Sequence, residues 1–187
     1  MTKPAESNEL SAIKALMTTP ALPDLGPGPR AGNLSQTSLE QKLDELLGKL
    51  TLPPSSPELI RCLVLLWHDH LEPAHGIAQN VSNPDGNFLH GIVHRREPDY
   101  GNAKYWFRRV GQHPCFPTIA QQTAKSLSHA SDRALLNKLI PHGTWDPFGF
   151  VDACEQAAKP PADTAHRHRL QLIQQIEFEV LLARYCS

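Results

Sequence analysis

From Leu39 onward the apolar residues of this chain recur three and four positions apart, and nowhere do they alternate with polar residues over the length of a strand. A spacing near 3.6 belongs to helices that bury one face, whereas a half-buried strand needs a spacing of two. The pattern therefore restricts the chain to an all-α architecture. Leu39, Leu43, Leu46, Leu47 and Leu50 follow Ser38-Leu39-Glu40-Gln41, which has the form of a capping box. Ile60, Leu63, Trp67, Leu71, Ala74 and Ala78 follow Ser55-Ser56-Pro57-Glu58 and predict one long central helix over 58–79, kinked or split at Pro73.

Downstream, Asn83-Pro-Asp-Gly-Asn87 reads as a turn, 88–96 as a helix or a strand ended by Pro98, and 102–110 as a helix stopped by Gly111 and Pro114. Helical spacing returns over 118–128, 131–140, 148–158 and 163–185, the last with Leu170, Ile173, Ile176, Val180 and Leu181 on one side. A chain of 187 residues supports one core rather than two. The expectation is a single compact multi-helix domain of about seven helices over 37–187. Residues 1–36 read as a disordered tail, because 19–33 hold four prolines and three glycines and offer little apolar area to offset the entropy of ordering.

Charge and cysteine usage exclude several classes of function. Lys plus Arg is 18 against Asp plus Glu 19, so no overall field draws nucleic acid or an anionic membrane. The longest uninterrupted apolar run, Cys62–Trp67, is six residues and too short to cross a bilayer. Cys62, Cys115, Cys154 and Cys186 are far apart and form no C-x-x-C pair, which argues against a zinc knuckle or a redox motif. Scattered cysteines without an apolar leader fit reduced thiols, and the expected location is cytoplasmic. No G-x-S-x-G, G-x-G-x-x-G or P-loop motif occurs.

The chemistry is concentrated in one stretch. Six of the ten histidines lie between His68 and His113, interleaved with acids, arginines and aromatic rings in WHDHLEPAH and HGIVHRREPDYGNAKYWFRRVGQHP. Glu72 and His75 stand three apart, and His90 and His94 four apart, so each pair shares a helix face. His75, His90, His94 and Glu72 together supply enough nitrogen and oxygen donors for a mononuclear zinc, iron or manganese ion. Asp69, expected to point away from the core, or Glu97 is placed to orient an imidazole. Histidine acid–base chemistry through His75, His94 and Glu97 is the companion possibility.

Around these groups, His68, Trp67, Arg95, Arg96, Tyr100, Tyr105, Trp106 and Arg109 are candidate ligand-binding residues. From His90 to His113 five basic side chains face two acidic ones, which suits a small anionic or planar ligand. The expected function is a small-molecule enzyme using histidine or metal chemistry. The alternative is a non-catalytic binding module in which the same residues form a structural ion-pair network.

The run from His90 to Pro114 resembles the signature stretch of a family of uncharacterised proteins of fungi and bacteria. WHDHLEPAH, Phe150-Val-Asp-Ala-Cys-Glu155 and Gln175-Ile-Glu177 are similar to the same family, so the resemblance covers about Ser55 to Cys186. It implies a helical intracellular domain and carries no implication about chemistry.

Overall fold

The computed structural model describes residues 8–161 and 163–187. Ten α-helices occur among them: α1 (Asn8–Leu16), α2 (Gln36–Leu47), α3 (Ser56–Trp67), α4 (Leu71–Ala78), α5 (Pro84–Arg96), α6 (Tyr100–Val110), α7 (Phe116–Ser126), α8 (Arg133–Leu139), α9 (Pro147–Ala157) and α10 (Thr164–Tyr185). Two 3-10 turns, Ala130–Asp132 and Pro141–Gly143, flank α8, and no strand occurs among the described residues. The all-α expectation holds, with more and shorter helices than the seven expected. No described helix is long and apolar enough to cross a membrane.

Helix starts follow local chemistry, at positions shifted from those the sequence suggested. α2 is capped by Ser35, whose hydroxyl accepts from Ser38 N, so it begins before the Ser38 box. The 83–87 turn is the start of α5: Asn83 accepts from Gly86 N, and Pro84 and Asp85 fill the first turn. Every residue of α5 from Gly86 to Arg96 is buried. A helix enclosed on all sides carries its polar groups into the interior, where each one needs a partner.

α5 and α6 form a close antiparallel hairpin. A Cβ on Gly91 would lie 2.9 Å from the Phe107 ring, so the absence of a side chain there is what lets α6 approach. With only 97–99 between them, the two helices register symmetrically about Pro98. His94 meets Asn102, His90 meets Trp106, and Asn87 donates to Arg109 O.

The long helix expected over 58–79 is two helices. The break falls at His68-Asp69-His70, where Asp69 has φ 66, and Pro73 sits in the first turn of α4, where its missing N–H costs no helical bond. Asp69, expected on the solvent side, has a fully buried side chain. Its carboxylate pairs with Arg96 at 2.5 Å and with Arg30 at 2.8 Å.

Residues 8–36 also depart from expectation. Ile13, Met17 and Leu25 are core residues, and the proline-rich stretch lies against the domain. Gln174 donates to Pro23 O and Asp24 O, Arg167 to the Asp24 carboxylate, and Arg96 to Gly26 O. Extended backbone cannot satisfy its own carbonyls, so interior arginine and glutamine donors from distant helices order it. Residues 1–7 of the expected tail lie outside the described residues.

Candidate metal centre

The three imidazoles proposed from spacing converge where α4 crosses the α5–α6 hairpin. One ring nitrogen from each of His75, His90 and His94 lies within 4.8 Å of the others. His75 Nε2 and His90 Nε2 are 2.9 Å apart. The His75 ring stands edge-on to both partners, with centroids at 4.7 and 4.8 Å. His90 and His94 are stacked at 4.8 Å, as i, i+4 side chains on one helix face. Trp106 covers His90 at 3.8 Å, nearly parallel.

Glu97, one residue beyond the end of α5, faces the Nδ1 atoms of two of these rings. Its oxygens lie 3.1 Å from His94 Nδ1 and 3.5 Å from His75 Nδ1. Asp99, the N-cap of α6, is 4.0 Å from His94 Nδ1, and Asn102 Nδ2 is 3.1 Å from His94 Nε2. A carboxylate on Nδ1 fixes the ring and favours the tautomer with Nδ1–H, which leaves the lone pair of Nε2 to bind an ion or, in His94, to accept from Asn102. Burial, followed by repulsion from His94 and His75, pushes His90 down to about 4, so it is a neutral donor at physiological pH. Burial also lowers His94, with His75 adding to it, against the opposing pull of Glu97 and Asp99.

An open cavity of about 400 Å³ lies beside His75, lined by Glu72, His75, Gly76, Gln79 and Glu97. Glu72, expected as a metal ligand, is exposed on this wall and stands outside the three-histidine cluster. His90 and His94 are buried, and His75 is half-buried on the cavity side.

Several other expected ligand-binding residues are engaged elsewhere. His68 is buried, with Nδ1 accepting from Leu34 N and Nε2 bonded to Leu16 O at 2.8 Å. Trp67 donates to Thr19 Oγ1 and packs edge-on against Phe178. Arg95 is sealed inside with Glu177 at 2.6 Å, Gln174 and the Phe150 ring. Arg96 is consumed by Asp69. Tyr100 is half-buried, Tyr105 is 47% exposed, and the Arg109 guanidinium lies over the Tyr105 and Trp106 rings. Of that set only Trp106 touches the cluster.

Asn102 and Glu177 were not expected as partners, and Asp69, expected to orient an imidazole, pairs instead with Arg96 and Arg30. The short 97–99 connection is a signal for Asn102, since it forces antiparallel pairing about residue 98. Glu177 meets Arg95 across 82 positions, and no local pattern announces that. The arrangement defines an all-α protein with a three-histidine cluster opening on an acidic cavity. The chain matches no family model, no curated protein and no solved structure.

Proposed function

We propose that His75, His90 and His94 hold one divalent transition-metal ion, and that the protein is a small-molecule enzyme in which this ion activates water. The observation that carries the reading is the 2.9 Å approach of two imidazole Nε2 atoms, with a third imidazole beside them and a shared carboxylate behind. Metal–imidazole bonds of about 2.0–2.1 Å put two donors 2.9 Å apart at a ligand–metal–ligand angle of roughly 90°; this pair reaches the tetrahedral angle by opening a few tenths of an ångström, and the cluster, which spans up to 4.8 Å, closes around the ion as it binds. Three imidazole nitrogens favour zinc or iron over manganese, which prefers oxygen donors. Three protein ligands leave a coordination position for water, as catalytic sites require.

Histidine acid–base catalysis without a metal is the weaker reading. The chain Glu97–His75–His90 ends at His90 Nδ1, a buried nitrogen with no partner, so it delivers a proton to nothing. The wall of the cavity also bears on the ligand. Its charged residues are Glu72 and Glu97, and Arg95 and Arg96, expected to clamp an anion, are engaged elsewhere. With a divalent ion bound, the two carboxylates offset its charge, so the mouth favours neutral small molecules.

Elemental analysis of the purified protein, followed by titration of the chelator-treated protein with cobalt(II), tests the reading. One equivalent bound, with visible d–d absorption, is the expected result, and His94→Ala should abolish it. A parent protein that neither retains metal nor binds cobalt or zinc at micromolar concentration overturns the reading.

A further inference from the structure

α4 is eight residues long and joined to α3 by three, so the direction in which it presents His75 depends on what holds the elbow at 68–70. Asp69 is the centre of that elbow. Its Oδ1 accepts from Arg96 Nη2 at 2.5 Å. Its Oδ2 accepts from Arg30 N at 2.9 Å, Arg30 Nε at 2.8 Å and Asn33 Nδ2 at 2.8 Å.

The carbonyls that end α3 are taken by the same side chains: Leu66 O by Arg96, Trp67 O by Arg30 and His68 O by Asn33. A Cβ on Gly28 would overlap the Asp69 side chain, so the N-terminal segment reaches the carboxylate only because a glycine stands there. Arg96 lies two residues beyond His94 on α5. One buried carboxylate therefore joins the root of the helix carrying His75, the end of the helix carrying His90 and His94, and the segment around 28–33.

We propose that Arg30, acting through Asp69, is a positioning residue for the metal centre, and that the N-terminal segment sets the angle at which α4 brings His75 to His90 and His94. This inference rests on the metal reading above. α4 packs into the core through Ala74 and Ala78, but a two-turn helix attached through a left-handed residue also needs its root held to keep one direction. Donors from two distant parts of the chain, α5 and the segment around 28–33, hold that root on a single carboxylate. Arg30 touches none of the three histidines, so any effect on the ion must pass through the elbow.

The test compares cobalt(II) and zinc(II) affinities of the full chain, the Arg30→Ala variant and Leu170→Ala, a core variant on α10 outside the elbow. All are measured well below the lowest melting temperature. Arg30→Ala is expected to weaken metal binding about tenfold or more, the range found for residues that orient metal ligands from behind. Leu170→Ala is expected to bind as the parent does, even where it lowers the melting temperature as much. If Arg30→Ala does not fold, Asn33→Ala, which removes a neutral donor from the same carboxylate oxygen, is held to the same comparison. Parental affinity in the elbow variant, or an equal loss in Leu170→Ala, overturns the proposal. A parent that binds neither ion overturns the metal reading and this inference with it.

Discussion

Asp69 and Asp85 show how much of this protein depends on single carboxylates. Asp69 neutralises Arg96 where neither side chain reaches solvent. Removing one partner of such a pair leaves a buried charge alone, so Asp69→Ala should destabilise the protein by about 3–5 kcal/mol in urea unfolding. Asp85 joins the start of α5 to Arg184 near the end of α10 and to His113, at 2.7 and 3.1 Å. Burial alone would raise this carboxyl, but hydrogen bonds from His113 and Arg184 outweigh it and hold it down at about 2. A carboxyl depressed in the folded state contributes stability above its ordinary value of 3.8 and loses it as pH falls through about 2. Asp85→Asn should therefore flatten the loss of stability between roughly pH 4 and pH 2, as read by denaturation at stepped pH.

Among the elements, the N-terminal segment departs furthest from its composition. Removing residues 1–34 takes away Ile13, Met17 and Leu25 and leaves His68 without its partners at Leu16 and Leu34. Each buried apolar side chain is worth about 1.5–3 kcal/mol. At roughly 2–4 °C per kcal/mol for a chain of this size, the melting temperature should fall by on the order of 10 °C or more. A truncated protein that melts within a few degrees of the parent would show that the segment adds no net stability. α3 and α4 teach a related lesson. Their apolar spacing reads continuously from Ile60 to Ala78, yet the helix breaks at Asp69, because an interior carboxylate must face two arginines that arrive from residues 30 and 96.

For the molecule as a whole, the metal reading predicts a linkage between ion and fold. An ion that binds only the native state at a hundredfold excess over its dissociation constant stabilises it by about 2.7 kcal/mol. Zinc added to chelator-treated protein should then raise the melting temperature by roughly 5–10 °C, and chelator should reverse the change. The His94→Ala protein should show no such shift. With Glu72 and Glu97 offsetting the charge of the ion, neutral nitrogen ligands are expected to compete for the open position better than small carboxylates or phosphate do. A change in the cobalt spectrum on adding each probe measures this.

The sequence by itself determined the helical class, the absence of a membrane-length apolar helix and the pairing of His90 with His94 on one face, because each of these rests on spacing along a single helix or on bulk composition. It also pointed to His75 and Glu97 as partners of that pair. Only the tertiary structure decided that Arg95 and Arg96 are interior counter-charges for Glu177 and Asp69, that His68 caps the N-terminal segment, and that Glu72 stands apart from the cluster. Exposed and buried arginines look alike in a sequence. Which of them is free for a ligand depends on acids 27 and 82 positions away, brought together by packing that no local pattern records.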